Sequence, residues 1–287
     1  MPTGSPRLPQ VLRLLLCAAL AATPDAAAPQ DPGPVHEAPF APSPRATADE
    51  MLRLAGVGPG DIVYDLGSGD GRVVIAAAKK FGARAVGVEI SAPLVARSRL
   101  AAERAGVADR VRFLEQDLFA TELGEATVIA LYLSPNLNLR LRPALLRLKP
   151  GTRIVSHGSD LGDWRPDRKT SIRKDVYLWF VPAQVAGRWR SAFGGAPGER
   201  VLELEFEQRF QEVSARARLD GAPVQVWDAR LESDRLSFVI VDRLDREDEN
   251  GIYFEGRASG GTMEGSAASG VGAARRVERW RAQRAGR

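Results

Sequence analysis

The stretch "IVYDLGSGDGR", residues 62–72, sets a run of strand-forming apolar residues directly before glycines at 67, 69 and 71. A glycine-rich turn after a strand brings a ligand against bare backbone. A dinucleotide turn needs G-x-G-x-x-G. Counted from Gly67 the sixth position is Arg72, and from Gly69 it is Val74, so that spacing fails in both registers. What stands there instead is G-x-G-x-G, with Asp65 two residues ahead of the first glycine.

Outward from this turn, strand-like runs recur at Ile62–Leu66, 85–89, 111–114, 127–133 and 153–156. Helical stretches separate them: 72–81 closed by Gly82, 91–105 capped by Ser91 and stopped by Gly106, and 137–148, whose Leu137, Leu141, Leu145 and Leu148 share one face. The alternation predicts a doubly wound, Rossmann-like α/β sheet, with ligands beyond the carboxyl ends of its strands. Structure is expected to start at Thr47, where Thr47-x-x-Glu50 reads as a capping box. After Pro182 the period changes to two. Leu202, Leu204 and Phe206 alternate with glutamates, and Val213, Ala215, Ala217 and Leu219 alternate with Ser214, Arg216 and Arg218. With Asp220-Gly221 and Asn250-Gly251 as hairpin turns, this predicts a smaller all-β meander, a barrel or a sandwich, whose terminal strands hold Trp189 and Trp280.

The charges around the turn select the ligand. A carboxylate at Asp65 repels a pyrophosphate and attracts a cation. S-adenosylmethionine brings an ammonium and a sulfonium, and its own carboxylate can meet backbone N–H groups. Glu89 closes the second strand, where a carboxylate can accept both ribose hydroxyls, with Ile90 beside it. Asp117 follows the third strand, placed for an adenine amino group, between Gln116 and Leu118. Asp65, Gly67, Ser68, Gly69, Gly71, Glu89, Ile90, Gln116, Asp117 and Leu118 are therefore the candidate coenzyme residues.

These motifs resemble the class I, seven-strand S-adenosylmethionine-dependent methyltransferases over residues 47–157, with Lys149-Pro150-Gly151 before the fifth strand adding to the likeness. More narrowly, "YDLGSGDGR", "LYLSPNLNLRLRPALLRLKPGTRIVSH" and "GDW" at 162–164 resemble the mitochondrial ATP synthase c-subunit lysine methyltransferases and their bacterial relatives. The resemblance implies N-methylation of a protein lysine, and it places the acceptor beside Tyr132, Ser134, Pro135 and Asn136 after the fourth strand. Ser134 or Asn136 also reads as a helix cap. His157, at the end of the fifth strand, reads either as a base or as a structural histidine. Asp160, Asp163 and Trp164 follow in a loop that either gates the acceptor or closes the turn. That loop, 159–168, replaces the usual fifth helix, and "KTSIRKDVYLWFVP" supplies an antiparallel hairpin. No cluster has metal-ligand spacing. Two rival readings stand: a non-catalytic protein that binds the coenzyme or an apolar ligand in its β domain, and a methyltransferase of nucleic acids or small molecules.

The 287 residues, 44% hydrophobic and 26% charged, are enough for two domains, placed at 47–182 and 183–287. Ahead of them, Arg7 and Arg13, the apolar run 14–22 and Ala26-Ala27-Ala28 read as a signal peptide over 1–28 with a Pro/Ala-rich linker over 29–46, which implies export to the periplasm or beyond, or a cytoplasmic protein where that segment is not processed. The nine apolar residues fall short of the roughly 20 that a spanning helix needs, so no transmembrane helix is expected in the mature chain. The single cysteine, Cys17, lies in this segment, so a processed chain has neither disulfide nor thiolate. Six of the 40 basic residues crowd into 275–287 against Glu278, which leaves the rest of the chain close to neutral, so the charge distribution as a whole does not support nucleic-acid binding. A second excess lies between Arg140 and Lys174. It reads as a solvated helix and loop, or, if gathered at the substrate rim, as a site for an acidic protein or a nucleic acid.

Overall fold

The structure, a computed structural model, describes residues 45–172, 174–194, 198–241, 251–270, 272 and 275–286. The expected signal segment, nearly all of the linker, Cys17 and Asn250 lie outside the described residues. Helix α1 (Arg45–Leu54) carries Thr47 within it rather than at its start. The Thr47 hydroxyl is buried without a partner, so the expected capping box does not form. Leu52 and Met51 face the core, and Arg153 ties the end of the helix down by donating to the carbonyls of Ala55 and Gly56 at 2.9 and 3.0 Å.

Strands β1 (Ile62–Leu66), β2 (Arg84–Glu89), β3 (Val111–Glu115), β4 (Val128–Leu131), β5 (Arg153–His157), β6 (Arg168–Ile172) and β7 (Lys174–Phe180) form one sheet in the order β3-β2-β1-β4-β5-β7-β6. The first five run parallel, and β7 is antiparallel to both β5 and β6. Successive residues of β4 feed opposite cores. Val128 and Ala130 pack with α1, α2 (Arg72–Phe81) and α3 (Ala92–Ala105), whereas Ile129 and Leu131 pack with α4 (Pro135–Leu145). Both faces of the strand are thus dry, which is why its sequence is apolar without a break. Strand order reverses at β1, which has β2 on one side and β4 on the other, the switch point beyond whose carboxyl ends ligands of such sheets bind. Between β5 and β6 the chain runs as a loop, without a helix, as its sequence implies.

Eight further strands close a barrel: β8 (Gly187–Phe193), β9 (Arg200–Arg209), β10 (Glu212–Leu219), β11 (Ala222–Glu232), β12 (Arg235–Val241), β13 (Gly251–Ser259), β14 (Thr262–Ser269) and β15 (Arg276–Arg284). The two tryptophan strands pair with each other and complete the ring, Arg284 opposite Trp189. Asp220 and Gly221, both at positive φ, make the tight turn expected of them. The other expected turn pair begins at Asn250, outside the described residues, and Gly251 pairs with Val241. The interior is filled by rings. Phe238 stacks on Phe254 at 4.9 Å, and Trp280 meets both edge-on at 5.9 and 5.4 Å. Gly256, Gly265 and Trp280 share one register row, where a Cβ on Gly265 would stand 1.9 Å from the Glu255 carbonyl oxygen.

Barrel and sheet meet at Trp164 of the GDW stretch. Trp164 is fully buried and stacks on Phe210, in the β9–β10 turn, at 5.7 Å. Its carbonyl accepts from the Trp179 indole of β7 at 2.8 Å. Asp163 beside it pairs with Arg142 of α4 and with Arg209 of β9, the latter at 2.6 Å. Closing the turn, rather than gating an acceptor, is what these two residues do here. Trp164→Ala is expected to destabilise the protein by about 3–5 kcal/mol in urea unfolding. A cycle with Phe210→Ala should show a coupling of about 0.5–1.5 kcal/mol, whereas additivity would mean that the stacked pair contributes nothing of its own.

Candidate active site

The turn after β1 is held flush on the end of β2. The Val88 carbonyl accepts from the N–H groups of Gly67 and Ser68 at 2.8 and 2.9 Å, and Gly71 N–H closes on the Ser68 carbonyl at 2.9 Å. Glu89 clamps the same turn: its Oε2 accepts from Gly69 N–H and its Oε1 from Ser91 N–H, both at 3.0 Å. Gly67, Gly69 and Gly71 all take positive φ. There is also no room for side chains. A Cβ on Gly71 would stand 2.7 Å from the Phe113 ring, and one on Gly67 would stand 3.0 Å from Leu133 Cδ2.

One expectation is corrected here. The N–H groups of Gly67, Ser68, Gly69 and Gly71 are already bonded within the protein, so they are not the donors for a ligand carboxylate. These glycines supply close approach instead.

Asp65 lies beneath the turn, 5% exposed. Burial pushes its carboxyl up to about 7, helped by the neighbouring charges of Glu89 and Asp70. A buried carboxylate with acidic neighbours lacks a cation, and a ligand ammonium supplies one. Glu89 keeps a second lone pair on each oxygen for ribose hydroxyls. At the end of β3, Asp117 Oδ1 accepts from Phe119 N–H at 2.8 Å and caps the short 3-10 turn Leu118–Ala120, which leaves Oδ2 for an amino group. Gln116 N–H donates to the Glu89 carbonyl at 3.1 Å, fastening that strand end to β2, while its side chain turns to Thr121 at 2.8 Å. Ile90, exposed, and Leu118, half-buried, offer apolar surface for a base. The predicted coenzyme residues thus come together at the carboxyl ends of β1, β2 and β3, and they fit S-adenosylmethionine.

The acceptor side is built differently from its sequence reading. Ser134 is the N-cap of α4, its hydroxyl accepting from Leu137 N–H at 3.4 Å, and Asn136 is exposed in the first turn. Tyr132 is half-buried, its ring 4.5 Å from the His157 imidazole. His157 is 3% exposed with both ring nitrogens unpartnered, and burial, then Lys174, lowers its pKa, so it stays neutral. Sequence reasoning missed Asn138, which is fully buried and donates to Ser156 Oγ and to the carbonyls of Ser159 and Asp160 at 3.1–3.2 Å. Its signal was a polar residue on the apolar stripe of Leu141 and Leu145. Gly87 and Phe113 were missed too. A Cβ on Gly87 would stand 2.7 Å from both the Phe113 ring and Ser68 Oγ. A glycine inside a buried strand signals such an approach.

Much of the basic excess between Arg140 and Lys174 is engaged within the protein, while Lys174 faces the Tyr132 ring. Arg142 is spent on Asp163, Arg153 on Asp61, Lys169 on Asp175 and Arg165 on Glu212, while Arg140 lies over Phe119. Among the described residues there is no group of His, Cys, Asp or Glu placed to hold a metal, and no helix long and apolar enough to cross a membrane.

Residues 65–168 match the ANTKMT methyltransferase domain family. A protein-lysine N-methyltransferase of Saccharolobus islandicus (strain REY15A) is 42% identical over 154 residues, 51% of this chain and 96% of that protein. The chain belongs to this methyltransferase family. The ATP synthase c-subunit lysine N-methyltransferase of Mus musculus is 33% identical over 162 residues, covering 56% of this chain and 63% of that one. Among solved structures, an RNA methyltransferase from Salinibacter ruber in complex with S-adenosyl-L-homocysteine is 50% identical, with a TM-score of 0.50 over 50% of this chain and 96% of that one. The methyltransferase accordingly uses S-adenosylmethionine. The barrel lies beyond the span of the family match, 65–168.

Asp65 makes coenzyme binding and stability oppose each other. Its folded pKa, about 7, is above the ordinary 3.8. The folded state therefore holds the extra proton between those values, and stability falls as pH rises through that window. Asp65→Asn is expected to stabilise the coenzyme-free protein at pH 8, by up to about 4 kcal/mol from the size of the shift. Coenzyme affinity moves the other way. By calorimetry it should weaken about tenfold per pH unit below 7 in the wild type. Asp65→Asn should bind weakly with no such slope, and a wild type whose affinity is flat from pH 5 to 8 would contradict the assignment.

Proposed function

We propose that this methyltransferase N-methylates lysine side chains of another protein. The observation that carries the reading is the aromatic ring of Tyr132 at the carboxyl end of β4, set against a neutral, buried imidazole and already facing one alkyl ammonium, that of Lys174, whose Nζ lies 5.9 Å from the ring centroid. An electron-rich ring face attracts such a cation, and an uncharged His157 behind it does not repel one. The family's protein-lysine methyltransferases support the same choice of acceptor.

The coenzyme supplies a methyl group already activated by the sulfonium, so the protein's task is positioning. Asp65 holds a positive charge beneath the glycine turn, the bare backbone at 67, 69 and 71 lets the ligand approach closely, and Glu89 and Asp117 take the polar edges of a nucleoside. Leu133, packed against Gly67, and Tyr132 beside it bring the acceptor edge up to that turn. Partial desolvation over the ring lowers the pKa of an incoming lysine, so that its nitrogen sheds its proton before transfer.

The reading rests on identifying the labelled product. With methyl-labelled coenzyme and cell extract, label is expected in protease-sensitive, nuclease-resistant material, on lysine after acid hydrolysis. Gly71→Val, which drives a side chain into Phe113, is expected to abolish both coenzyme binding and labelling. Nuclease-sensitive label would favour RNA, the substrate class in the name of the Salinibacter relative.

A further inference from the structure

We propose that the groove between α2 and α3 docks an acidic amphipathic helix of a partner protein. The inference goes beyond the methyltransferase reading and does not depend on the acceptor. The two helices follow the neighbouring parallel strands β1 and β2, and their inner faces share one core, to which Val73, Val74, Ala77, Val95 and Ala102 all belong. Their outer faces leave a groove of about 530 Å³, bordered by Ala48 and Asp49 of α1 where Asp49 pairs with Lys80. Positions 72, 75, 76, 79 and 80 of α2 line it, and so do 97, 100, 101, 104 and 105 of α3. Both sets advance by steps of three and four, so each is one stripe along its helix. Eight residues of rise make the groove ~12 Å long, about two turns of a docked helix.

On each helix an apolar pair, Ile75-Ala76 or Leu100-Ala101, lies between basic residues. Leu100 is 45% exposed, a large apolar side chain left uncovered on its stripe. The alanines beside it are short enough for another helix axis to come within about 8–10 Å. The lining as a whole holds five basic residues against two acids. Asp70 is paired with Arg72, and Asp49 with Lys80. Lys79, Arg97 and Arg104 are the excess. None of the three has a salt bridge among the described residues, and Arg97 meets the Asp70 charge only through space. A cation in a last turn complements the carbonyl end of its own helix, which suits Lys79 and Arg104. Arg97 stands in the second turn of α3, away from that end. An apolar strip between cations is the complement of a helix with one apolar stripe and acidic flanks. Nucleic acid would answer the charges but leave Leu100 uncovered. A bilayer surface is flat, whereas these residues line a hollow.

A partner helix of this kind seats apolar side chains at i, i+3, i+4 and i+7 over the two apolar pairs, with its acids turned toward Lys79, Arg97 and Arg104. Covering Leu100 supplies the apolar contribution, while the exposed charges set register and rate of encounter more than affinity. One end of the groove is formed by Asp70 and Arg72, the chain neighbours of Gly71, so a docked partner lies beside the coenzyme turn.

The test uses the full chain and a fluorescein-labelled probe peptide of about 15 residues, near the length at which an isolated helix holds. The probe carries leucine at i, i+3, i+4 and i+7, glutamate on both flanks and alanine elsewhere, and a twin has lysine for every glutamate. In anisotropy titrations at low salt the acidic probe is expected to bind at a single site, at least about tenfold more tightly than its twin. Added salt should weaken it. Leu100→Asp, and separately Arg97→Glu with Arg104→Glu, should each weaken it about tenfold or more, and the double arginine variant should take up the lysine twin instead. Both variants should melt with the wild type and still bind coenzyme, so that a failure of the methyltransferase reading is visible on its own. No binding of the acidic probe, equal binding of the twins, or indifference to Leu100→Asp would overturn the inference. So would a single-stranded oligonucleotide, or vesicles containing anionic lipid, that bound the wild type more tightly than the probe and lost affinity in the double arginine variant.

Discussion

The turn that follows β1 has to lie flat on the end of β2, and the coenzyme site is a consequence of that contact. Two N–H groups converge on the Val88 carbonyl, and the Glu89 carboxylate reaches back to a third. Phe113 fills the space below, so closely that neither Gly71 nor Gly87 could carry a methyl group. Ser98 of α3 donates to the Gly69 carbonyl at 3.0 Å from the other side. A chain fixed by so many contacts cannot move toward a ligand, so the ligand must fit the chain. With the turn's own donors already used, recognition falls to the carboxylates at the strand ends and to bare surface. That division of labour explains why three acids accompany three glycines.

Asp65 shows what such a site costs before its ligand arrives. Burying a carboxylate beside Glu89 and Asp70 is unfavourable, and the protein meets the strain by keeping a proton on it up to about neutral pH. A ligand ammonium suits this demand for positive charge. Arg72, close by, is drawn to Asp70 at 2.5–2.8 Å. The arrangement favours a ligand with positive charge and disfavours a phosphate, the same discrimination that the failed G-x-G-x-x-G spacing makes in the sequence.

The gathering of the expected coenzyme residues at three strand ends was legible in the sequence, and the surroundings of the expected acceptor residues were not, for a physical reason. Asp65, the glycines, Glu89 and Asp117 act near their own backbone, so their places follow from where strands end. Tyr132, His157 and Lys174 meet only because β4, β5 and β7 are neighbours, and that adjacency involves an antiparallel return invisible to local pattern. Thr47 misled because the same four residues that can cap a helix can also lie inside one. Ser134 and Asn136 were read both for chemistry and as a helix cap, and Ser134 is the cap. In the β half, alternation reported which side of each strand is buried. Whether the strands close depends on Trp189 and Trp280 meeting across most of the domain's length, which no local pattern shows.

The barrel's contribution runs through its outside. In its interior Phe206 packs on Phe238, which with Phe254 and Trp280 forms a cluster of rings in contact. What it offers the sheet is the β9–β10 turn, where Phe210 covers Trp164 and Gln211 donates to the Arg165 carbonyl at 2.7 Å. The loop so anchored is the one whose Ser159 hydroxyl donates to the Leu133 carbonyl at 2.8 Å and whose carbonyls receive Asn138. A continuous path of packed and bonded groups therefore leads from the barrel to the residue beside Tyr132. Elsewhere in this fold class a helix can brace that edge. Here a loop does so, and a loop without a helix's own hydrogen bonds needs an external wall, which the barrel provides.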